Sequence, residues 1–430
     1  MEQEEVRVDS ITGLPLPCDV MMDIIKRLPP KELLRCRACR KSFKALIGTP
    51  EFYQVHLNWS RETNSYRTLV MGESDSDSDF FSSAFYDRDA FSSAQLIKQP
   101  LKVPRNMGLV TYIVGCWNGL ICLHIIWGDD VAIWNPCIQK FKMIPRVPDE
   151  TTKGAVGIGE ATYGFGYSGG DYKVVRFMEL EREGTKVLDS EIVVYSLRSS
   201  SWKKIEFRES SSCTWDTSYV IPLDGALHWF GKLHRSNSTS GILTLNFTNE
   251  KVMEFRAPDE VEAQLHTSSA GLSELNGKLC IIDFHDKANY DIWAMNIYGK
   301  AESWTRLYTI KSTVVNWTFD WRLPLASSST GRKILLYDGS GSRNVRLFWY
   351  DSEKDTAKRV RIPGMPSDFT AAICVANLGL LDGESVIKEE DGSEGDIQFE
   401  IIEGSEQRDI SEGESSRQGG MSGGKRVRTK

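Results

Sequence analysis

Hydrophobic positions near the start of the chain recur at helical spacing. Between Leu16 and Ile47 (LPCDVMMDIIKRLPPKELLRCRACRKSFKALI), Val20, Ile24 and Leu28 fall at i, i+4 and i+8, with Met21 and Ile25 beside them. One stripe of a helix is therefore apolar. Pro17 and Asp19 sit where a helix start favours them, the Asp19 carboxylate lying near unpaired backbone N–H groups. Pro29 and Pro30 end this helix, and Pro30 suits the first turn of the next. Leu33 and Leu34 follow, then an Arg-rich turn. A third helix runs from Lys41 to Ile47 with Phe43, Leu46 and Ile47 on one side. Thr49 to Leu57 keeps the helical texture, Phe52, His56 and Leu57 being spaced to face inward. So short a segment does not hide this many apolar side chains within itself. The surplus predicts docking onto another surface, either the rest of the chain or a partner. The plainer alternative is a small helical cap on the next domain.

From Thr111 to about Ile362 the texture changes to short runs of Val, Ile, Leu, Tyr, Phe and Trp separated by Gly, Asn, Asp and Ser turns, the pattern of strands. The order of runs repeats five times. Gly119-Leu-Ile-Cys-Leu leads to Val131-Ala-Ile-Trp and Phe141-Lys-Met-Ile. Gly164-Phe-Gly-Tyr and Lys173-Val-Val-Arg-Phe lead to Ile192-Val-Val-Tyr and Ser201-Trp-Lys-Lys-Ile. Units led by Gly225-Ala-Leu-His-Trp, Gly277-Lys-Leu-Cys and Lys333-Ile-Leu-Leu follow the same plan. Each reads as strand, strand, turn, strand at a period of roughly 45 to 60 residues, the range of propeller blades. A small antiparallel sheet of this kind buries both faces only by stacking radially with others. A β-sandwich of hairpin repeats is the competing architecture.

Composition adjusts this picture little. The 430 residues bear a formal net charge of −7, which argues against a general nucleic-acid-binding face. Nine cysteines are scattered without a framework, and Met1 to Ser10 is acidic and polar. Together these predict reduced intracellular thiols and a cytoplasmic and/or nuclear protein. Glu73 to Asp79 (ESDSDSD) reads as a mobile, solvated acidic loop whose serines resemble acid-directed phosphorylation sites. Beyond Leu381 the chain is acidic and Gly/Ser-rich, with one apolar island, Ile397 to Ile402. It ends on Lys425, Arg426, Arg428 and Lys430, a short basic cluster of the kind that can direct nuclear import. The predicted organisation is a flexible N-terminus (1–13), a helical box (14–60), a linker holding the acidic loop (61–108), a β domain (109–380) and a disordered acidic tail (381–430).

The helical stretch resembles an F-box, the motif by which substrate receptors bind a Skp1-type adaptor. The family pattern is approximately L-P-x-D-[LV]-x-x-E-I-L-x-R-L-P-x-K-S-L-L-R-F-R-x-x-x-K-S-W. Leu16, Pro17, Asp19, Val20, Ile24, Arg27, Leu28, Pro29, Lys31, Leu33, Leu34, Arg35, Arg37, Lys41 and Ser42 match it in register. Ile25, Asp23, Glu32, Cys36 and Phe43 depart from it, Cys36 by shrinking an apolar knob. The β region is similar to the F-box-associated domain of plant F-box proteins, a degenerate kelch-like propeller. The phrases that carry this likeness include Gly115-Cys-Trp-Asn-Gly-Leu-Ile-Cys, Trp134-Asn-Pro, Tyr163-Gly-Phe-Gly-Tyr, Asp171-Tyr-Lys-Val-Val-Arg, Gly225-Ala-Leu-His-Trp and Glu302-Ser-Trp-Thr-Arg-Leu. The group resembled is that of the constitutive-defence and S-locus F-box proteins.

The resemblance implies a three-helix F-box followed by an all-β propeller, serving as the substrate-recognition subunit of a Skp1–cullin–F-box ubiquitin ligase. It implies that Leu16, Pro17, Ile24, Ile25, Leu28, Leu33 and Leu34 are apolar anchors for the adaptor, with Arg35 and Lys41 at the rim. Cullin and RING subunits are then reached through the adaptor, and a target protein is held on a loop face of the propeller. Trp117, Trp215 and Trp317 stand in turns and are candidates for that face, since Trp often anchors protein partners. A non-proteolytic scaffold and a ligand-sensing propeller are the alternatives.

No catalytic constellation stands out. Cys36-Arg-Ala-Cys39 has CxxC spacing but no second pair of zinc ligands downstream. The six histidines are isolated in sequence, and only His285 has neighbouring carboxylates, Asp283 and Asp286. No P-loop, GxSxG or strand–GxGxxG–helix context occurs. The expectation is a non-catalytic chain with no cofactor and no metal.

Overall fold

The computed structural model describes residues 18–63, 67–73, 80–86, 96–100, 111–125, 129–148, 155–182, 188–206, 213–233, 241–262, 270–284, 288–315, 322–328, 330–338, 345–366, 369–380 and 384–385. All of them belong to one compact unit spanning 1–387. Four helices lead: α1 (Cys18–Ile25), α2 (Pro30–Cys39), α3 (Lys41–Ile47) and α4 (Pro50–Glu62). Pro30 opens α2 at its first turn. Thr49 caps α4, its hydroxyl accepting from the Phe52 N–H at 3.1 Å. The helical texture noted from Thr49 to Leu57 therefore extends to Glu62.

The remaining elements are almost all strands, in six antiparallel sheets among the described residues. Blade 1 begins with β1 (Arg67–Glu73), β2 (Phe80–Tyr86) and β3 (Leu96–Pro100). Blade 2 holds β4 (Thr111–Trp117), β5 (Leu120–Ile125), β6 (Asp130–Asn135) and β7 (Lys140–Ile144). Blade 3 holds β8 (Ala155–Ser168), β9 (Asp171–Arg182), β10 (Leu188–Ser196) and β11 (Ser201–Ile205). Blade 4 holds β12 (Cys213–Leu223), β13 (Ala226–Leu233), β14 (Gly241–Asn246) and β15 (Lys251–Phe255). Blade 5 holds β16 (Ala270–Leu275), β17 (Lys278–Asp283), β18 (Asn289–Met295) and β19 (Trp304–Lys311). Blade 6 holds β20 (Arg322–Ser327), β21 (Lys333–Asp338), β22 (Arg346–Asp351) and β23 (Thr356–Arg359). The chain then returns as β24 (Phe369–Val375), which pairs with β1, Leu69 lying opposite Ile373. A short β25 (Glu384–Ser385) adds to the edge of β7.

The ring is closed by burial as well as by this pairing. Six separate apolar clusters occupy the six gaps between consecutive blades. Trp134 fills the gap between blades 1 and 2, and Trp229 meets Phe177 at 4.9 Å between blades 3 and 4. The architecture is a propeller, not a sandwich of two facing sheets. The first hairpin of four blades is a two-residue turn with both φ values positive: Asn118-Gly119, Gly169-Gly170, Asp224-Gly225 and Asn276-Gly277. These are the turns whose twist matches paired strands. Gly119 answers a second demand, because a Cβ there would lie 1.7 Å from the Val375 carbonyl oxygen at the end of the closing strand.

Two sequence expectations change. The stretch taken as a linker, 61–108, carries the end of α4 and three strands of blade 1. Glu73 of its acidic stretch belongs to β1, and residues 74–79 lie outside the described residues. Each blade also has four strands where three were commonly legible. The unread innermost strands β4, β12 and β20 each break register with their neighbour. Such irregularities disrupt the period-2 pattern by which a strand is recognised. The segment beyond 385, with its apolar island and basic end, lies outside the described residues.

Candidate functional site

The helical box divides its apolar side chains between two sides. Met21 and Ile25 of α1, Leu33 of α2, Ile47 of α3 and Phe52 of α4 form a buried core. Two propeller residues complete it: Ile138, in the turn between β6 and β7, and Leu378, just past β24. Leu28, Leu34, Cys36, Phe43 and Leu46 pack around it half-buried. His56 is fully buried, its Nε2 3.1 Å from the Leu28 carbonyl oxygen. Burial pushes its pKa down, the backbone hydrogen bond opposing. At the edge, the Tyr53 and Tyr172 hydroxyls hydrogen-bond at 2.7 Å and tie α4 to blade 3.

The other side of α1 has no such cover. Val20 is 39% exposed and Ile24 49%, one turn apart on the same face. Asp23 between them pairs with Lys26 at 2.6 Å and with Arg27. The Lys26 hydrogen bond, chiefly, holds the Asp23 carboxyl below its ordinary pKa. The residues expected as adaptor anchors thus separate. Ile24 is on the surface. Leu28 and Leu34 are half-buried. Ile25 and Leu33 lie inside, where their apolar bodies complete the core shared with the propeller, and do not present a docking face. Arg35 and Lys41 are exposed, and Arg35 is bonded at 2.7 Å to Glu32, one of the departures from the pattern. Leu16 and Pro17 lie outside the described residues.

α4 continues over the axial mouth of the propeller. A cavity of about 850 Å3 opens there, bounded by the first hairpins of blades 2 to 5, by Val375 and by Arg61 of α4. Asp224, Glu274, Lys278, Asn296 and Tyr298 face it, as does Trp117. A neighbouring cavity of about 520 Å3 shares Arg61 and Glu274. This mouth is lined by polar and apolar side chains alike, with charges of both signs. Behind its wall His228 is buried, Nδ1 3.1 Å from the Ile221 carbonyl oxygen and Nε2 2.8 Å from the Tyr298 hydroxyl. Desolvation pushes its pKa down to about 4, so a neutral, doubly bonded ring is a packing element. The Trp215 side chain and Trp317 lie outside the described residues. So do most residues of the loops joining second to third strands. Sequence reading missed one cluster: His124 Nε2 is 3.3 Å from Asp129 Oδ1, and the Tyr163 hydroxyl donates to that oxygen at 2.8 Å. No sequence signal joins them, since Tyr163 belongs to the next blade.

Comparison with known proteins reads the same two parts. The F-box domain family matches residues 14–55, and the F-box associated beta propeller domain family matches residues 67–381. The chain belongs to the F-box-associated β-propeller family. F-box protein CPR1 of Arabidopsis thaliana is 28% identical over 85% of this chain and 89% of its own length. F-box protein At4g22390 of the same plant is 25% identical over 85% and 90%. The F-box/kelch-repeat protein At3g23880 is 27% identical over 69% and 79%. Members of this family are typically non-catalytic substrate receptors of Skp1–cullin–F-box ligases, and an F-box in general implies binding to a Skp1-type adaptor. Among the described residues, no group of three His, Cys, Asp or Glu is placed to hold a metal, and no helix is long and apolar enough to cross a membrane.

Proposed function

We propose that this protein is the substrate-recognition subunit of a Skp1–cullin–F-box ubiquitin ligase, acting in the cytoplasm and/or nucleus. The observation that carries the reading is the box itself. It matches the F-box family, docks one side on the propeller and leaves Val20 and Ile24 uncovered. The adaptor occupies that uncovered side of α1, with half-buried Leu28 and Leu34 contributing and Arg35 and Lys41 at the rim. Cullin and RING subunits follow through the adaptor. The propeller holds a target protein so that its lysines meet the charged conjugating enzyme. The chain supplies orientation and effective concentration, and the partners supply the chemistry.

A firmly seated box suits this role. The shared core of Ile138 and Leu378 and the Tyr53–Tyr172 bond fix the propeller's direction relative to the adaptor. The test is reconstitution. Full-length protein co-expressed with a Skp1-type adaptor, cullin and RING subunits is expected to purify as one complex. Recovery of the adaptor without cullin or RING would favour the scaffold reading, and recovery of neither would overturn the proposal. A ligand-sensing propeller is the second reading. The cavity at the channel mouth, which Asp224, Glu274, Lys278 and Asn296 face, favours it.

A further inference from the structure

Cys116 and Cys374 are 258 positions apart in sequence, yet their sulfurs lie 2.9 Å from each other. Cys374 is on β24, the strand that closes the ring, and Cys116 is on β4, the innermost strand of blade 2. The meeting depends on an irregularity. Strict alternation along β4 would put Ile113 and Cys116 on opposite faces. A register shift between Ile113 and Gly115 places both in the cluster facing blade 1, and Val114 and Trp117 in the cluster facing blade 3. The bulge therefore aims Cys116 at Cys374.

We propose that Cys116 and Cys374 are a redox-active pair whose disulfide staples the closing strand of the propeller to blade 2. The two sulfurs are unequally placed. Cys116 is half-buried and lines the channel-mouth cavity, open to a small oxidant. Cys374 is 1% exposed, and burial holds its thiol protonated. Cys116 is the attacking sulfur and Cys374 the resolving one. With hydrogen peroxide as oxidant, the Cys116 thiolate takes one peroxide oxygen. The O–O bond breaks, Cys116 becomes a sulfenic acid, and the other oxygen leaves as water with the thiol's proton. The Cys374 sulfur then displaces the sulfenic hydroxyl, which departs as a second water carrying the Cys374 proton. Two thiols are oxidised and one peroxide is reduced. A dithiol reductant reverses the bond by exchange.

The bond lies just before a strap that reaches the helical box. After Val375 the chain passes Asn377, which is fully buried and accepts from Asn135 Nδ2 at 2.9 Å and from the Gly379 N–H at 2.6 Å. The next residue, Leu378, enters the box core. Fixing Cys374 to β4 thus fixes the origin of that strap as well as the ring closure.

The test uses the full-length chain, reduced, desalted and treated with a stoichiometric amount of hydrogen peroxide. Remaining thiols are then alkylated and the peptides mapped by mass spectrometry. The expected product is one intramolecular Cys116–Cys374 cross-link, reversed by dithiothreitol, with a higher thermal unfolding midpoint in the oxidised form. Cys137, half-buried close by, is the competing thiol, and a Cys137→Ser variant is expected to form the same cross-link. A Cys374→Ser variant is expected to accumulate a Cys116 sulfenic acid that dimedone traps. Full alkylation of both cysteines after peroxide, a cross-link that joins Cys116 to Cys137, or an oxidised form that melts lower would overturn the proposal. The wild-type peptide map decides it even where a variant folds poorly.

Discussion

In the propeller, the apolar faces of each blade meet another blade of the same chain, and six clusters close six gaps. The helical box is arranged differently. Its core is completed by Ile138 and Leu378 from the propeller, and on its other side Val20 and Ile24 face water. One region satisfies itself by closure and the other by borrowing, with apolar surface left over. A blade residue is therefore a stability residue, whereas a box residue has to be sorted by depth before it is given a role. Leu33 shows the need. It stands in register with the F-box pattern, yet it is fully buried, so a charge placed there tests folding and not docking.

Substitutions can sharpen this contrast. The largest effect is expected at a propeller gap. Trp229→Ala removes a fully buried ring packed on Phe177 and should cost about 3–5 kcal/mol, read as a lower midpoint in urea unfolding. Leu33→Ala should cost about 2–5 kcal/mol. Its signature is local, with faster amide exchange in α2 and α4 than in the strands of blades 4 and 5. Equal loss of protection throughout would show that box and ring unfold as one and would erase the contrast.

A pH series comes next. His228 titrates at about 4 when folded, against 6.5 as its ordinary value. Between these values the unfolded chain binds more protons, so stability falls as pH drops from about 6.5 towards 4 and is independent of this group above 6.5. The full difference corresponds to about 3 kcal/mol. A His228→Gln variant should flatten that window, and an unchanged slope would contradict the assignment. Thr49→Ala, which removes the cap of α4, should cost about 1 kcal/mol, measured by thermal unfolding.

The sequence made the repeated parts legible and hid the parts that depend on distance. Units led by Gly119, Gly164, Gly225 and Gly277 announced strands, and three of these glycines stand in hairpins needing positive φ. Three of the fourth-strand turns use Gln139, Ser200 and Glu250 at positive φ, residues that carry no such signal. Blade 1 was missed because it is assembled from both ends of the propeller. Leu69 opposite Ile373 leaves no local periodicity to read, and the acidic stretch between β1 and β2 lent the segment the look of a linker. In the box, helical spacing located the apolar stripe. It did not tell Ile24 from Ile25, because which neighbour faces the propeller depends on Ile138 and Leu378, far along the chain.

The central claim is that the uncovered side of α1 receives a Skp1-type adaptor. The most direct test is adaptor affinity of the full-length protein beside its Ile24→Asp variant, with thermal unfolding of both. Ile24 is half exposed, so the change should alter stability by no more than about 0.5 kcal/mol. Loss of an interface anchor should weaken binding by about 30-fold or more. That pairing of outcomes is what this account predicts. Undiminished binding by the variant, or no binding by the wild type, would contradict it.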